Sequence, residues 1–408
     1  MNAKPIENSP AVNEADYTEY TKYTQIHERT VEDVPQVREQ LKWKRLKLPE
    51  NLFPEVSGDV SESVSIDDEG IEIKPFESHH ESEFDEMAFQ KTLGIPFKTY
   101  IGENGNHGYV IRSQSRAFDA PSVKIAYQLS ESKPNLIDNY LIVAEAGTKL
   151  NVLIDYSALS SDTSGAEAFG ALEGSNQHYG TTRVIAKKGS TVRVVKVQRL
   201  GVFDNHFDQN FSFVEEGANL ELVDIQLGSR NKAIAYESHL KGRHSNVVLK
   251  SLYFGDENEQ LDLSFTMRHF GARSESTILS KGALSGNSKK VFRGNLFFET
   301  GSVQSVGREK EVVVLLDARV KSDSIPALMC SEDDVIGEHA ASIGQLDQEK
   351  IFYLMSRGLS LAEAKKLVIK ASFEEVLMTL GESTFGGDDL KRSIEEALDR
   401  RLTDGNRP

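Results

Sequence analysis

From Gly108 to about Ala327 the chain is a long succession of short runs in which apolar and polar residues alternate. YVIRS, VKIAYQL, NYLIVAEAG, TKLNVLIDY, STVRVVKVQ, ANLELVDIQLG, SNVVLKSLYFG and EVVVLLDA are typical. They are rich in β-branched and aromatic residues and are bounded by glycine, the pattern of β-strands joined by tight corners. Nothing else in the sequence limits the fold as much. Strands this numerous and this short must bury their apolar sides against one another.

A weak repeat runs through the region. A strand ends at a glycine, and apolar residues return at the third, fifth and sixth positions after it. After Gly147 these are Leu150, Val152 and Leu153; after Gly189, Val192, Val194 and Val195; after Gly217, Leu220, Leu222 and Val223. After Gly242 only Val247 and Val248 hold. The glycine reads as a corner at φ > 0, which a Cβ would resist. The apolar trio reads as pointing into a narrow core. Coils of roughly 25 to 30 residues suggest a β-solenoid, and a β-sandwich accounts for the strand density nearly as well. The longer Gly147-to-Gly189 interval holds SALSSDTSGAEAFGALEGSN, read as an insertion on one face.

The ends differ from the middle. Residues 1–30 are polar and aperiodic, expected as a mobile arm. Val31 to Leu48 predicts one or two short amphipathic helices, with Trp43 packing rather than binding. Residues 56–81 read as a loop with a short strand at Ile71 to Ile73, and about Asp85 to Lys91 as a short helix. The tail is helical. Asp347 can cap a helix that Gly358 ends, and Ser360 with Glu363 has capping-box spacing. Leu361, Ala364, Leu367, Val368 and Ala371 then mark one apolar face. A last helix spans about Leu390 to Leu402.

Composition narrows the function. Lys and Arg number 47 against 63 Asp and Glu, a net charge of −16, which argues against nucleic acid or an anionic membrane as partner. Cys330 is the single cysteine. That excludes an internal disulfide and a multi-cysteine metal site built by this chain alone, and fits a cytoplasmic home. The first residues lack the apolar core of a secretory signal, and no run approaches the ~18 apolar residues of a membrane helix.

Catalytic motifs are missing: there is no GxxxxGK[ST], GxSxG or HExxH. Cys330 is flanked by Glu332, Asp333 and Asp334, which disfavours an activated thiolate. It reads as a small, partly buried residue. His79 and His80 read as solvated, and His178, His206, His239, His244 and His269 as structural hydrogen-bonders. Asp204, Asp208 and Asp224 come nearest to the row of acids that a polysaccharide-active β-solenoid enzyme would need, but their spacing does not single them out. His339 differs, because it follows a strand, precedes the helices and has Glu338 beside it. Imidazole and carboxylate suit Fe or Zn, but one of each is too few for a closed site. The remaining ligands would come from a partner chain or from the metal's own sulfides or waters.

The stretch SIPALMCSEDDVIGEHAASIGQLDQEKIFYLMSRGLSLAEAKKLVI resembles the C-terminal signature of the SufB/SufD proteins of iron–sulfur cluster assembly. It carries the Pro-x-Leu strand, Asp333 and Asp334, His339-Ala340-Ala341, Gly344, Phe352-Tyr353-Leu354 and Ser356-Arg357-Gly358. NYLIVAEAGTKLNVLIDYS, HFGARSESTILSKGAL, FRGNLFFETG and VVVLLDA are similar too, so the resemblance runs from about Ile95 to Ala371. Of the two branches it is nearer SufD. SufB chains carry a cysteine ahead of the LLDA-like strand, and SVQSVGREKEVVVLLDA has none. Many SufD chains have a cysteine two residues before this histidine, where this chain has Gly337, and no ligand role passes to Cys330.

The resemblance implies a mainly β fold, a right-handed parallel β-helix with helical ends. The division would be an arm (1–30), an N-terminal helical or irregular region (31–94), the β-helix (95–343) and a C-terminal helical domain (344–408). It implies a non-catalytic scaffold that pairs with a SufB-like protein and docks the SufC-like ABC ATPase; whether the chain forms a homodimer in isolation stays open. No cofactor would be held by this chain alone; an Fe–S cluster would sit transiently at the SufB interface. His339, and less directly Glu338, would be its metal ligands here. Phe352, Tyr353 and Arg357 would dock SufC, although Phe352 and Tyr353 could instead be core of the helical domain. Two other readings stay open: a solenoid enzyme acting on a glycan, and a structural adaptor whose His339 has no metal role.

Overall fold

A computed structural model describes residues 60–67, 70–84, 93, 95–114, 120–129, 135–158, 176–380 and 387–404. The expectations for the arm, for the helices and Trp43 before residue 49, for the helix at Asp85 to Lys91 and for most of the insertion after Ala158 lie outside the described residues.

The fold opens with β1 (Val60–Ile66), β2 (Ile71–Pro75), the helix α1 (Ile95–Asn104), β3 (Tyr109–Ser113) and β4 (Ser122–Leu129). Next come β5 (Asn135–Ala144), β6 (Lys149–Ala158), β7 (Gln177–Ala186), β8 (Thr191–Arg199), β9 (Asn205–Val214) and β10 (Asn219–Gln226). They continue as β11 (Asn231–Leu240), β12 (Asn246–Gly255), β13 (Gln260–His269), β14 (Glu275–Leu284), β15 (Lys289–Phe298) and β16 (Ser305–Leu315). β17 (Lys321–Ser324), β18 (Ala327–Cys330) and β19 (Val335–Gln345) close the strands. The helices α2 (Gln348–Ser356), α3 (Leu361–Leu377) and α4 (Gly387–Asp404) follow.

From β3 to β17 successive strands alternate between two sheets. One has the order β1-β4-β6-β8-β10-β12-β14-β16-β19; the other runs β17-β15-β13-β11-β9-β7-β5-β3-β2, with β18 beside β15. Each strand pairs in parallel with the strand one coil away, as Leu222 does with Leu249 and Leu249 with Ile278. Among the described residues only β1 on β4 and β2 on β3 are antiparallel. This is a parallel β-solenoid of about seven turns, not a sandwich of hairpins. Ile71 to Ile73 lies within β2 as expected.

The register accounts for the glycine repeat. Gly147, Gly189 and Gly217 take φ of 70°, 65° and 64°, and each stands two residues before a strand. Asn219, Asn246, Glu275 and Val306 stack in register. The corner therefore passes to His244, Arg273 and Gln304, at φ 57°, 56° and 59°. The repeat broke at Gly242 because His244, not the glycine, holds the corner of that coil. One expectation needs correcting. Leu150 and Val152 enter the core between the sheets, but Leu153, Val195 and Val223 lie on the outer face. Adjacent residues of a strand point to opposite sides.

That outer face is where the C-terminal helices pack. Ile225, Leu252 and Leu279 are buried against Ile351, Ile369, Phe373 and Ile394. Polar anchors fix the helices to the middle coils: Lys281 pairs with Glu375 at 2.6 Å, Arg199 donates to Ser393 at 3.1 Å, and Arg401 pairs with Glu259. The caps are as read. Asp347 accepts from the backbone N–H of Glu349 and Lys350, Gly358 takes φ 98°, and Ser360 and Glu363 form the capping box. The apolar face of α3 is not as read. Ala364 is buried, but Leu361, Leu367 and Ala371 are exposed. The stripe that meets the sheet runs through Ala364, Ile369, Phe373 and Val376, because α3 lies across β12 and β14 and those strands choose which side turns in. On the opposite sheet, Phe97, Tyr100 and Ile101 of α1 cover Ile137, Tyr179 and Phe207.

Candidate functional site

The last coil ends the solenoid with exposed strands. β19 forms the edge of one sheet, and β17 and β18 form that of the other. All of β19 after Val335 is exposed. Ile325, Leu328, Met329, Ile336 and Ile343 remain 40–54% exposed. An edge of unpaired N–H and C=O groups with apolar side chains is a template for pairing with another strand.

His339 lies in this edge. β19 follows β16 in parallel register, so His339 stacks on Glu309 and shares its inward direction. The Glu309 side chain is fully buried, and its ion-pair partner is Nδ1 of His339. Apart from that ion pair, neither Glu309 oxygen has a hydrogen-bond partner among the described residues. Burial and the neighbouring Glu311 raise the Glu309 carboxyl and Lys290 opposes them, while the imidazole against it favours the ionised form. Glu311 is better matched. Lys290 and Ser324 both donate to it, and Tyr253 donates at 3.1 Å. The Lys290 ammonium is held down chiefly by its burial.

Glu338 does not join His339. Its neighbour's side chain turns inward, whereas Glu338 is on the outer face, where Arg308 reaches it at 3.1 Å. The carboxylate beside the imidazole is Glu309, which the sequence reading missed. The available signal was the run REKE just before VVVLL. On a strand its two glutamates share a face, and one coil of spacing sets Glu309 under His339. Cys330 sits on the other sheet, stacked on Phe298 and exposed. Among the described residues no three His, Cys, Asp or Glu side chains come together as a metal site.

The other candidates are structural or remote. His178 and His206 are buried and bonded to each other at 2.6 Å, and His178 also meets Asp138 at 3.1 Å. Burial pushes His178 down to about 3 and His269 to about 4. His269 bonds Ser274 and Ser276, and His239 bonds Glu237. His244 is exposed at its corner, and His79 and His80 lie in a short 3-10 helix near Glu77. Asp204, Asp208 and Asp224 are all buried. Asp208 is clasped by Lys196 at 2.8 and 2.9 Å, and Asp204 accepts from the backbone of Gly201 and Asn176. Acids enclosed in this way cannot meet a glycan on an outer face.

The surface of α2 resolves the alternative for its aromatics. Ile351 is buried, but Phe352 is 74% and Tyr353 55% exposed. Arg357 lies over the Tyr353 ring at 5.1 Å, a cation–π contact. These residues are surface, not core.

Residues 127–372, more than half of the chain, match the family described as SUF system FeS cluster assembly, SufBD core domain. The chain belongs to the SufBD family of iron–sulfur cluster assembly proteins. Its curated relatives include a SufBD family protein of Mycobacterium leprae, 28% identical over 203 residues, which are 50% of this chain and 23% of that protein. A Staphylococcus epidermidis SufBD protein is 25% identical over 61% of this chain and 51% of its own length. One of Staphylococcus saprophyticus is 23% identical over 89% and 79%. The chain thus matches about a quarter of the mycobacterial relative. Among the described residues no helix is long and apolar enough to cross a membrane.

Proposed function

We propose that this SufBD protein is the SufD-like, non-catalytic member of a cytoplasmic assembly scaffold. It pairs with a SufB-like chain through the open end of its solenoid and docks a SufC-like ATPase on α2. The observation that carries the reading is the unpaired parallel edge β19 with His339 in it. A strand of a related solenoid can add there in the same geometry, bringing its ligands beside the imidazole. A nascent Fe–S cluster is then the cargo of two chains, with His339 supplying one ring nitrogen and the SufB-like chain the thiolate. Glu338, on the outer face, is the weaker ligand. The lack of a phosphate loop fits a scaffold whose ATP is hydrolysed by its partner. Only Leu346 and Asp347 separate β19 from α2. A movement imposed on Phe352, Tyr353 and Arg357 therefore reaches the His339 strand directly.

The test is co-expression with SufB-like and SufC-like chains. The double variant Ile336→Lys/Ile343→Lys is expected to weaken capture of the SufB-like chain by about 10- to 100-fold while keeping the ATPase. Phe352→Glu/Tyr353→Glu is expected to do the reverse. His339→Ala in the intact complex is expected to lose cluster loading. Retention of both partners by both double variants would overturn the docking scheme, and normal loading by His339→Ala would overturn the ligand role.

A further inference from the structure

The interior column that ends at His339 is apolar until its last two coils. Val123, Val152, Val194, Leu222, Leu249 and Ile278 stack in register, one per coil. All six are buried in the same core. The next member is Glu309 and the last is His339. An aliphatic residue at 309 would continue the column, and burying a carboxylate there instead carries a desolvation cost. The stability of the coil does not call for this residue.

The facing sheet makes room for it. Its inward column passes from Asn210 to Tyr236 to Phe265 and then to Gly294. A Cβ on Gly294 would lie 2.7 and 2.8 Å from Cγ and Cδ of Glu309, closer than atoms pack. Large residues give way to a glycine at the coil where the glutamate crosses the core. Two separate positions therefore agree that a buried carboxylate is built in beneath the histidine.

We infer that Glu309 is a positioning residue for His339: its carboxylate accepts from Nδ1–H, fixes that tautomer and ring orientation, and leaves Nε2 as the nitrogen free to take iron. Carboxylates behind metal-binding imidazoles commonly serve this way. The inference rests on the reading of His339 as an iron ligand for its consequence, but the tautomer itself can be measured without iron.

The experiment compares Glu309→Leu and Glu309→Gln in the full chain. Leucine matches the column, so the variant is expected to fold and to melt no lower than the wild type. With 15N-labelled histidine, the His339 signals, identified by their loss in His339→Gln, should report a protonated Nδ1 and a bare Nε2. In Glu309→Leu they should move to a mixture of tautomers, and in Glu309→Gln, whose amide oxygen still accepts, they should return toward the wild type. In the complex, Glu309→Leu should reduce cluster loading about 10- to 100-fold while keeping both partners. Unchanged His339 signals in Glu309→Leu would overturn the positioning role, as would normal loading once the tautomer has moved. Normal loading by His339→Ala would instead sink the ligand reading and leave the tautomer result standing.

Discussion

The two ends of the solenoid are built on opposite rules. At the N-terminal end the coil is met by strands that reverse direction, β1 on β4 and β2 on β3. There the inward residues Val123, Ile125, Tyr127 and Leu129 are fully buried. At the C-terminal end the last strand keeps the parallel sense of every coil before it, and β19 is exposed almost throughout. A reversed strand ends the parallel repeat, whereas a parallel one leaves it ready to continue. The apolar column follows the same division. It is aliphatic through the earlier coils and turns to glutamate and histidine only in the last two.

The largest effect should come from making the same substitution at both ends. Ile125→Ala empties a closed core and is expected to cost about 2–5 kcal/mol. Ile343→Ala, at an exposed inward position of β19, should cost less than about 1 kcal/mol. Urea unfolding of the isolated chain measures both. Equal costs would break the comparison by showing that the open end is covered even in the isolated chain, as a homodimer would cover it.

The coils between the ends hold buried charge, and pH should separate them from either end. Burial pushes Asp224 up to about 7, with Asp208 raising it further and Lys196 and the donors Gln226 and Ser251 opposing the shift. An acid raised in the folded state contributes stability that is lost as pH climbs from its unfolded value toward 7, at about 1.4 kcal/mol per pH unit. His178 and His269 act in the opposite sense, losing stability as pH falls below 6.5 toward about 3 and about 4. The difference between Asp224→Asn and wild type cancels the histidines. It should shift in the variant's favour between pH 5 and 7 and level off above. A difference independent of pH would show that Asp224 is ionised in the fold.

The smallest contrast concerns the corners. Gly147 has φ 70° and open space where a Cβ would go, so Gly147→Ala should cost about 1 kcal/mol through the backbone alone. Gln304 already holds the corresponding corner near the open end at φ 59°. Gln304→Gly should therefore stabilise by less than about 1 kcal/mol. Thermal unfolding distinguishes the two signs.

Much of this was legible in the chain. Alternating strands, glycine corners and the Asp347 and Ser360 caps are local signals, carried by neighbours in sequence. The signature around His339 singled out that histidine and the aromatics of α2 together as candidates. What could not be read was any relation between coils. Nothing near His339 announces Glu309, because the two are joined only by a register that a single sequence does not display. The same register moved the corner from Gly242 to His244.

The sequence by itself determined that the chain would be a run of short strands with glycine corners and a helical tail, because period-two alternation and caps act within a few residues; that the strands coil as a solenoid was settled by their parallel pairing. Tertiary structure alone decided which apolar residues face the core and which face the helices. It also sent Glu338 away from His339 and brought Glu309 beneath it. The physical reason is that a parallel coil stacks side chains that lie a whole turn apart, and only the closed stack determines which of them touch.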